Sequence, residues 1–225
     1  MWCVPAIDAE YIERMEDVLK LYAKPVDSRE PVVCLDEKPV VLHDAERPEL
    51  LARPGKPTRR DYEYIRCGTG NIFCIIEPKT GRRLTHATRR RTHRDFARAL
   101  RKIARRHRHA RTIHLVVDNL NTHCEKSCIE AFGNEAGSAL WRRFTIHYTP
   151  KHGSWLNAAE LEANLVGREC LGRRRIAQLP ALKREVRRWA SRADVNRRAI
   201  NWTFRVADAR RVFHYRGIET FRSKH

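Results

Sequence analysis

Acidic residues are scarce in this sequence. Of 225 residues, 27 are Asp or Glu against 46 Lys or Arg, which leaves a formal net charge of +19 and a pI of about 10.3. That imbalance favours a polyanionic partner, because Lys and Arg neutralise phosphates and release counterions. It carries no information about fold. The sequence also lacks any apolar run of membrane length and any secretory leader. No membrane partner is expected, and a reduced, cytoplasmic setting is. No internal repeat or low-complexity linker interrupts the chain, so one large domain, or one domain with attached helices, is expected. Hydrophobic residues make up 42%, enough for a packed core.

The seven Cys residues are scattered at positions 3, 34, 67, 74, 124, 128 and 170. In a reduced setting they serve mainly as small apolar side chains. His123, Cys124 and Cys128 could seed a zinc site, but no fourth ligand stands at zinc-finger spacing. The positive charge is concentrated. Between Arg82 and Arg111 there are thirteen Lys or Arg residues and one acid, Asp95. Self-repulsion of that size argues for nucleic-acid contact rather than a merely solvated face.

Hydrophobic periodicity predicts a helix over Asp8–Ala23 and an apolar strand over Val32–Leu42, broken in its middle by charge. Strand-like Tyr62–Arg66 and Asn71–Glu77 flank Gly68-Thr69-Gly70, which predicts a hairpin. A loop is expected at Leu50–Arg60 and a turn at Pro78–Gly81. A basic amphipathic helix is expected at Arg94–His107, then a buried strand at Thr112–Val117. A short helix at His123–Phe132, a strand at Phe144–Tyr148, and helices at Leu156–Leu171 and Leu179–Ala193 complete the order. Three meandering strands followed by alternating helices and strands imply an α/β architecture: a mixed five-stranded sheet flanked by helices.

Three acids sit where folding alone would not place them. Asp36 interrupts an apolar strand, Asp118 ends one, and Glu160 opens a helix after a turn-like stretch. An ionised carboxylate in a strand is costly unless paired or bound to metal. Together the three would make an oxygen-rich site for a hard cation such as Mg²⁺. Each has a structural rival. Asp36 could pair with Lys38. Asp118 could serve the following turn, with Asn119 and Asn121. Glu160 fits a capping box with Asn157 as the cap.

CLDEKP around Asp36, LVVDNLNTH around Asp118 and HYTPKHGSWLNAAE ending at Glu160 closely resemble the insertion sequence 630 group of bacterial transposases, within the mariner-like superfamily. DYEYIRCGTGN and NWTF at Asn201–Phe204 are similar too. The resemblance spans about residues 2–211. It implies a ribonuclease-H-like fold at residues 31–175, with a linker helix at 1–30 and a helical extension at 176–225. It also implies cleavage at transposon ends and strand transfer, using Mg²⁺ or Mn²⁺, two ions in all, held by Asp36, Asp118 and Glu160. The partner would be DNA, transposon end and target alike, handled by a homodimer in a bacterial, nucleoid-associated setting. Members of the group carry N-terminal helix-turn-helix modules, and none precedes the catalytic motifs here, so end recognition is expected to need another source. The rival functions are another ribonuclease-H-like nuclease and a silent DNA-binding remnant. DNA contacts are expected from Arg94, Arg98, Arg101, Lys102 and Arg105, and from Lys151 and His152 near the scissile bond. Asn119, Asn121, His123 and Asn157 are expected to support the acids. Glu37 should point to the opposite strand face and be structural, and Trp155 should be a packing anchor.

Overall fold

The computed structural model describes residues 7–48, 50, 52–57, 59 and 61–215. Cys3, the start of the expected linker and the end of the C-terminal extension lie outside the described residues.

Helix α1 (Ala9–Ala23) begins where Asp8 caps it, its carboxylate accepting from Tyr11 N. Tyr11, Ile12, Met15, Val18, Leu19 and Tyr22 form its buried stripe, as the helical spacing predicts. Strands β1 (Val32–Ala45), β2 (Tyr64–Ile76), β3 (Arg83–Thr88), β4 (Ile113–Val117) and β5 (Phe144–Tyr148) form one sheet in the order β3-β2-β1-β4-β5. β1 and β2 are antiparallel, as are β2 and β3, while β1–β4 and β4–β5 are parallel. Helices α2 (His93–Arg106), α3 (Glu125–Phe132), α4 (Asn134–Trp141), α5 (Ala158–Leu165), α6 (Leu179–Asn196) and α7 (Val206–Val212) complete the chain. The mixed five-stranded sheet is as expected, but its strands are not the expected five.

The hairpin at Gly68-Thr69-Gly70 does not exist. Residues 64–76 run as one strand against β1, and the register slips between Leu42/Gly68 and His43/Arg66, leaving Cys67 out. Gly68 supplies a φ of +114, so it makes a bulge that bends the strand without reversing it. The third strand of the meander is β3 instead. Its sequence, Arg-Leu-Thr-His-Ala-Thr, hides in the basic stretch. Arg83 can lie inside because Glu162 meets its guanidinium at 3.0 Å with both side chains buried. The turn at Pro78–Gly81 forms as read, with Gly81 at a φ of +68.

Strand alternation sorts the two sides of the sheet. Val33 and Leu35 pack with Phe73, Phe96 and Leu100 under α2 and α3. Cys34 faces the other way, toward α1 and the start of α5. Farther along, Leu42, Ile72 and Cys74 pack with Leu182, Val186 and Trp189 of α6. The residues after 175 therefore add to the cores built on the sheet, and Trp202 and Phe204 pack on the α1 cluster. No helix among the described residues is long and apolar enough to cross a membrane.

Candidate active site

Strand alternation also decides which way the acids point. Asp36 shares its face with Cys34, and Glu37 shares the opposite face with Leu35. Asp36 is partly buried. Its Oδ1 accepts from the Glu37 N–H at 2.7 Å, and no ion pair to Lys38 forms among the described residues. Burial pushes its pKa up to about 6, opposed by that N–H and reinforced by repulsion from Asp118, Glu37 and Glu160. Three elements thus bring the three expected acids into one electrostatic neighbourhood. They remain more open than a closed cage. The group whose candidate ligand atoms all lie within 4.8 Å of one another is Glu37, Asp118 and His123.

Asp118 follows directly on β4. Behind it lies His123, whose side chain is 1% exposed. Its Nε2 meets Glu37 Oε1 at 3.1 Å, and its Nδ1 meets the Asp118 carbonyl at 2.9 Å and Asp118 Oδ1 at 2.8 Å. Burial alone would lower the imidazole pKa, but Asp118 and Glu37 carry it up to about 10. The ring is an imidazolium clamped between two carboxylates, with both nitrogens occupied. That arrangement suits a proton better than a metal ion at His123. Cys124 Sγ turns to Asn121 O at 3.3 Å and does not join the Glu37, Asp118 and His123 group. Sequence reasoning put Glu37 on the correct face but did not connect it to Asp118, because the link runs through a residue 86 positions away. Asn119 and Asn121 are exposed, and among the described residues neither makes a side-chain bond to Asp118. His123 alone of those three holds it.

Glu160 rides on α5. Asn157 caps this helix, its Oδ1 accepting from Ala159 N at 3.1 Å, while its Nδ2 donates to Leu35 O at 2.8 Å. The cap therefore ties the helix to β1 beside Asp36. The capping box expected of Glu160 does not form. Its carboxylate has no hydrogen-bond or ion-pair partner among the described residues. The helix continues from Leu165 into a π-helical turn over Val166–Leu171, where Gly167 passes Lys38 so closely that a Cβ would stand 3.2 Å from its Nζ. Trp155 packs against Trp202, Phe204 and Phe213, which is the anchoring role. Lys151 and His152 are exposed and line a cleft with Asn119 and Arg14. Arg94, Arg98, Arg101, Lys102 and Arg105 all lie on the exposed side of α2.

The donor set fits a hard divalent cation. Asp118 Oδ1 is buried without a hydrogen-bond donor: the His123 N–H is directed at the backbone carbonyl, and the side-chain oxygen lies off its line. Glu160 has no partner among the described residues, and burial, reinforced by acidic neighbours, raises the pKa of Asp36. A carboxylate oxygen met only by the off-line charge of His123, close to two further carboxylates, is an environment that an oxygen-seeking cation compensates.

Residues 31–183 match the family model described as DDE superfamily endonuclease. No curated protein sequence matches the chain. Among solved structures, it is similar to the Mos1 mariner paired-end complex with Mn, with a TM-score of 0.54, 13% identity and coverage of 85% of this chain and 58% of that one. The Mos1 strand transfer complex gives a TM-score of 0.54 at 13% identity, over 85% of this chain and 57% of that one. The Mos1 paired-end complex with Mg gives 0.52 at 13% identity, over 86% and 59%. The chain thus spans less than two thirds of those proteins, and at this identity the likeness shows the ribonuclease-H-like fold. The matched segment covers β1 through the start of α6 and holds all three acids. By that match, the chain belongs to the DDE superfamily of endonucleases.

Proposed function

We propose that this chain is the catalytic domain of a DNA transposase, cleaving DNA strands and joining them through Asp36, Asp118 and Glu160. The reading rests on one observation above the rest. Asp36 on β1 is lifted chiefly by burial, and the charges of Asp118, at the end of β4, and Glu160, on α5, both reach it and add to the rise. Residues 31–175 would form the catalytic unit, with 1–30 as a linker helix and 176–225 as a helical extension.

Asp36, Asp118 and Glu160 would hold Mg²⁺ or Mn²⁺, with room for two ions. Divalent metal, when bound, would polarise the scissile phosphodiester and activate the attacking water or 3′-hydroxyl. The chain's own residues do the rest. His123, fixed by Glu37, keeps Asp118 turned toward the site. Asn157 keeps α5, and so Glu160, against β1. Lys151 and His152 line a neighbouring cleft where a phosphate would be neutralised. The partner is DNA, in a homodimer that handles two ends, and the motifs favour the insertion sequence 630 group of bacteria, acting in the cytoplasm.

The test uses supercoiled plasmid and pre-cleaved transposon-end DNA with Mg²⁺ or Mn²⁺, plus a supplied end-recognition module. Metal-dependent nicking and strand transfer are expected, both lost in Asp36→Asn and Asp118→Asn. Nicking without joining would indicate another ribonuclease-H-like nuclease. Binding without nicking would indicate a silent remnant. Full activity in either Asp variant would overturn the site.

A further inference from the structure

Helices α2 and α6 lie on opposite sides of the sheet. Both overhang β3, whose outer edge has no strand partner among the described residues. They are joined across that edge. Arg106 of α2 donates to both Asp194 oxygens of α6 at 2.8 Å, and to the carbonyl of Arg83 on β3 at 2.7 Å. Thr85 Oγ1 of β3 donates to Val186 O of α6 at 3.2 Å. The joint lays the polar sides of two helices next to each other, and both are basic.

His86 stands at the meeting point. Its ring stacks on Phe73, with centroids 6.0 Å apart, and its Nδ1 accepts from Lys102 Nζ at 2.8 Å. Burial holds its pKa down to about 4, and Lys102 of α2 together with Lys183 of α6 adds to the effect. Lys102 is itself lowered, first by burial and then by Arg187 and Lys183 of α6. The cations of the two helices therefore act on one another. The nearby acids are already engaged. Asp95 pairs with Thr92 and Arg98, Asp194 with Arg106, and Glu185 with Arg174. Among the described residues none is left for Lys183 or Arg187, and both are exposed.

A basic edge can simply stop other strands from adding to β3, and one or two lysines suffice for that. Two helices of like charge held together by a bidentate ion pair exceed that need. Such a field is relieved by a polyanion that spans both helices at once.

We propose that the α2–β3–α6 edge is a second duplex-DNA surface, two strands removed from the β1 carboxylate, which grips the sugar–phosphate backbone with Lys102, Lys183 and Arg187. It rests on the reading that DNA is the substrate, and it adds α6 to the contacts that the sequence placed on α2 and at Lys151 and His152. The contact is to phosphates, so it carries no base specificity.

The full chain, titrated with a labelled duplex of arbitrary sequence over a series of salt concentrations, tests this by fluorescence anisotropy. The variant Lys102→Gln/Lys183→Gln/Arg187→Gln should bind more weakly. Its slope of log affinity against log salt should be shallower by about 3, at about 0.9 per phosphate contact. A charge-conserving variant, Lys102→Arg/Lys183→Arg/Arg187→Lys, should keep the wild-type slope, as should Lys126→Gln on α3. An unchanged slope in a triple-Gln variant with a wild-type thermal melt would overturn the proposal and leave the carboxylate site standing. So would self-association of that variant at unchanged slope, which would make the cations an edge guard. If wild type itself binds no duplex, both this proposal and the DNA reading of the acids fall.

Discussion

The carboxylate end of β1 and β4 and the outer edge of β3 are built on the same plan with opposite sign. At the first, the charges of Asp118 and Glu160 bear on a half-buried Asp36. At the second, Lys102, Lys183 and Arg187 crowd a neutral imidazole. Both regions hold like charges close together, while ion pairs elsewhere, such as Arg83–Glu162 and Arg210–Glu16, are closed. The difference teaches that crowding of like charge here is local and of one sign at each place. One region would take a cation and the other an anion, and under the proposed reading a metal-bound polynucleotide would supply both.

The sharpest break would come at the acid end. Asp118→Asn keeps the shape and removes the charge, so metal-dependent cleavage should fall by about 10³-fold, or about 4 kcal/mol of transition-state stabilisation. Single-turnover nicking of plasmid measures this, and a loss of less than about tenfold would mean that Asp118 does not serve the metal. Next in size, Mn²⁺ at about a hundredfold over its dissociation constant should stabilise wild type by about 2.7 kcal/mol. Asp36→Asn should lose most of that gain in a thermal melt, whereas the triple-Gln variant of the β3 edge should retain it. Equal shifts in both Mn²⁺ comparisons would place the cation elsewhere.

Smaller effects belong to the basic edge. Arg106→Gln opens the joint between α2 and α6 and leaves Asp194 to Arg83 N alone. Because the pair is partly solvated, the cost should be about 1 kcal/mol in urea unfolding. The smallest effect concerns pH. The folded-state pKa of His86 is lowered to about 4 from an ordinary 6.5, so the unfolded chain takes up the proton first. Stability should be fully present above pH 6.5 and decline as pH falls toward 4. His86→Gln should not show that part of the decline, and matching pH profiles would show that the ring is not held neutral.

Local pattern made much of this legible from sequence. α1, β4 and β5 were read because an apolar stripe or an apolar run marks them without interference. Asp36 and Asp118 stood out because one breaks and the other ends such a pattern, and Glu160 because it opens a helix after a turn-like stretch. The false hairpin arose because glycine pairs signal turns, yet Gly68 spends its positive φ on a bulge while β1 offers a full-length partner. β3 was missed because Arg83 reads as surface until Glu162, 79 residues away, neutralises it. The clamp of Glu37 on His123 was hidden for the same reason: compensation of buried charge is a long-range property, and periodicity is local. Helices α4 and α7 are seven or eight residues long, too short to establish a period.

Asn157 narrows what evolution or a designer can place at that position. As a helix cap, Asp, Ser or Thr would serve nearly as well. None of them can also offer an N–H to Leu35 O, and Asp would set a carboxylate against that carbonyl. A library screened only for folded protein should therefore return several residues at 157. One screened for strand cleavage should return Asn, because the same amide fixes how far the third acid stands from the first.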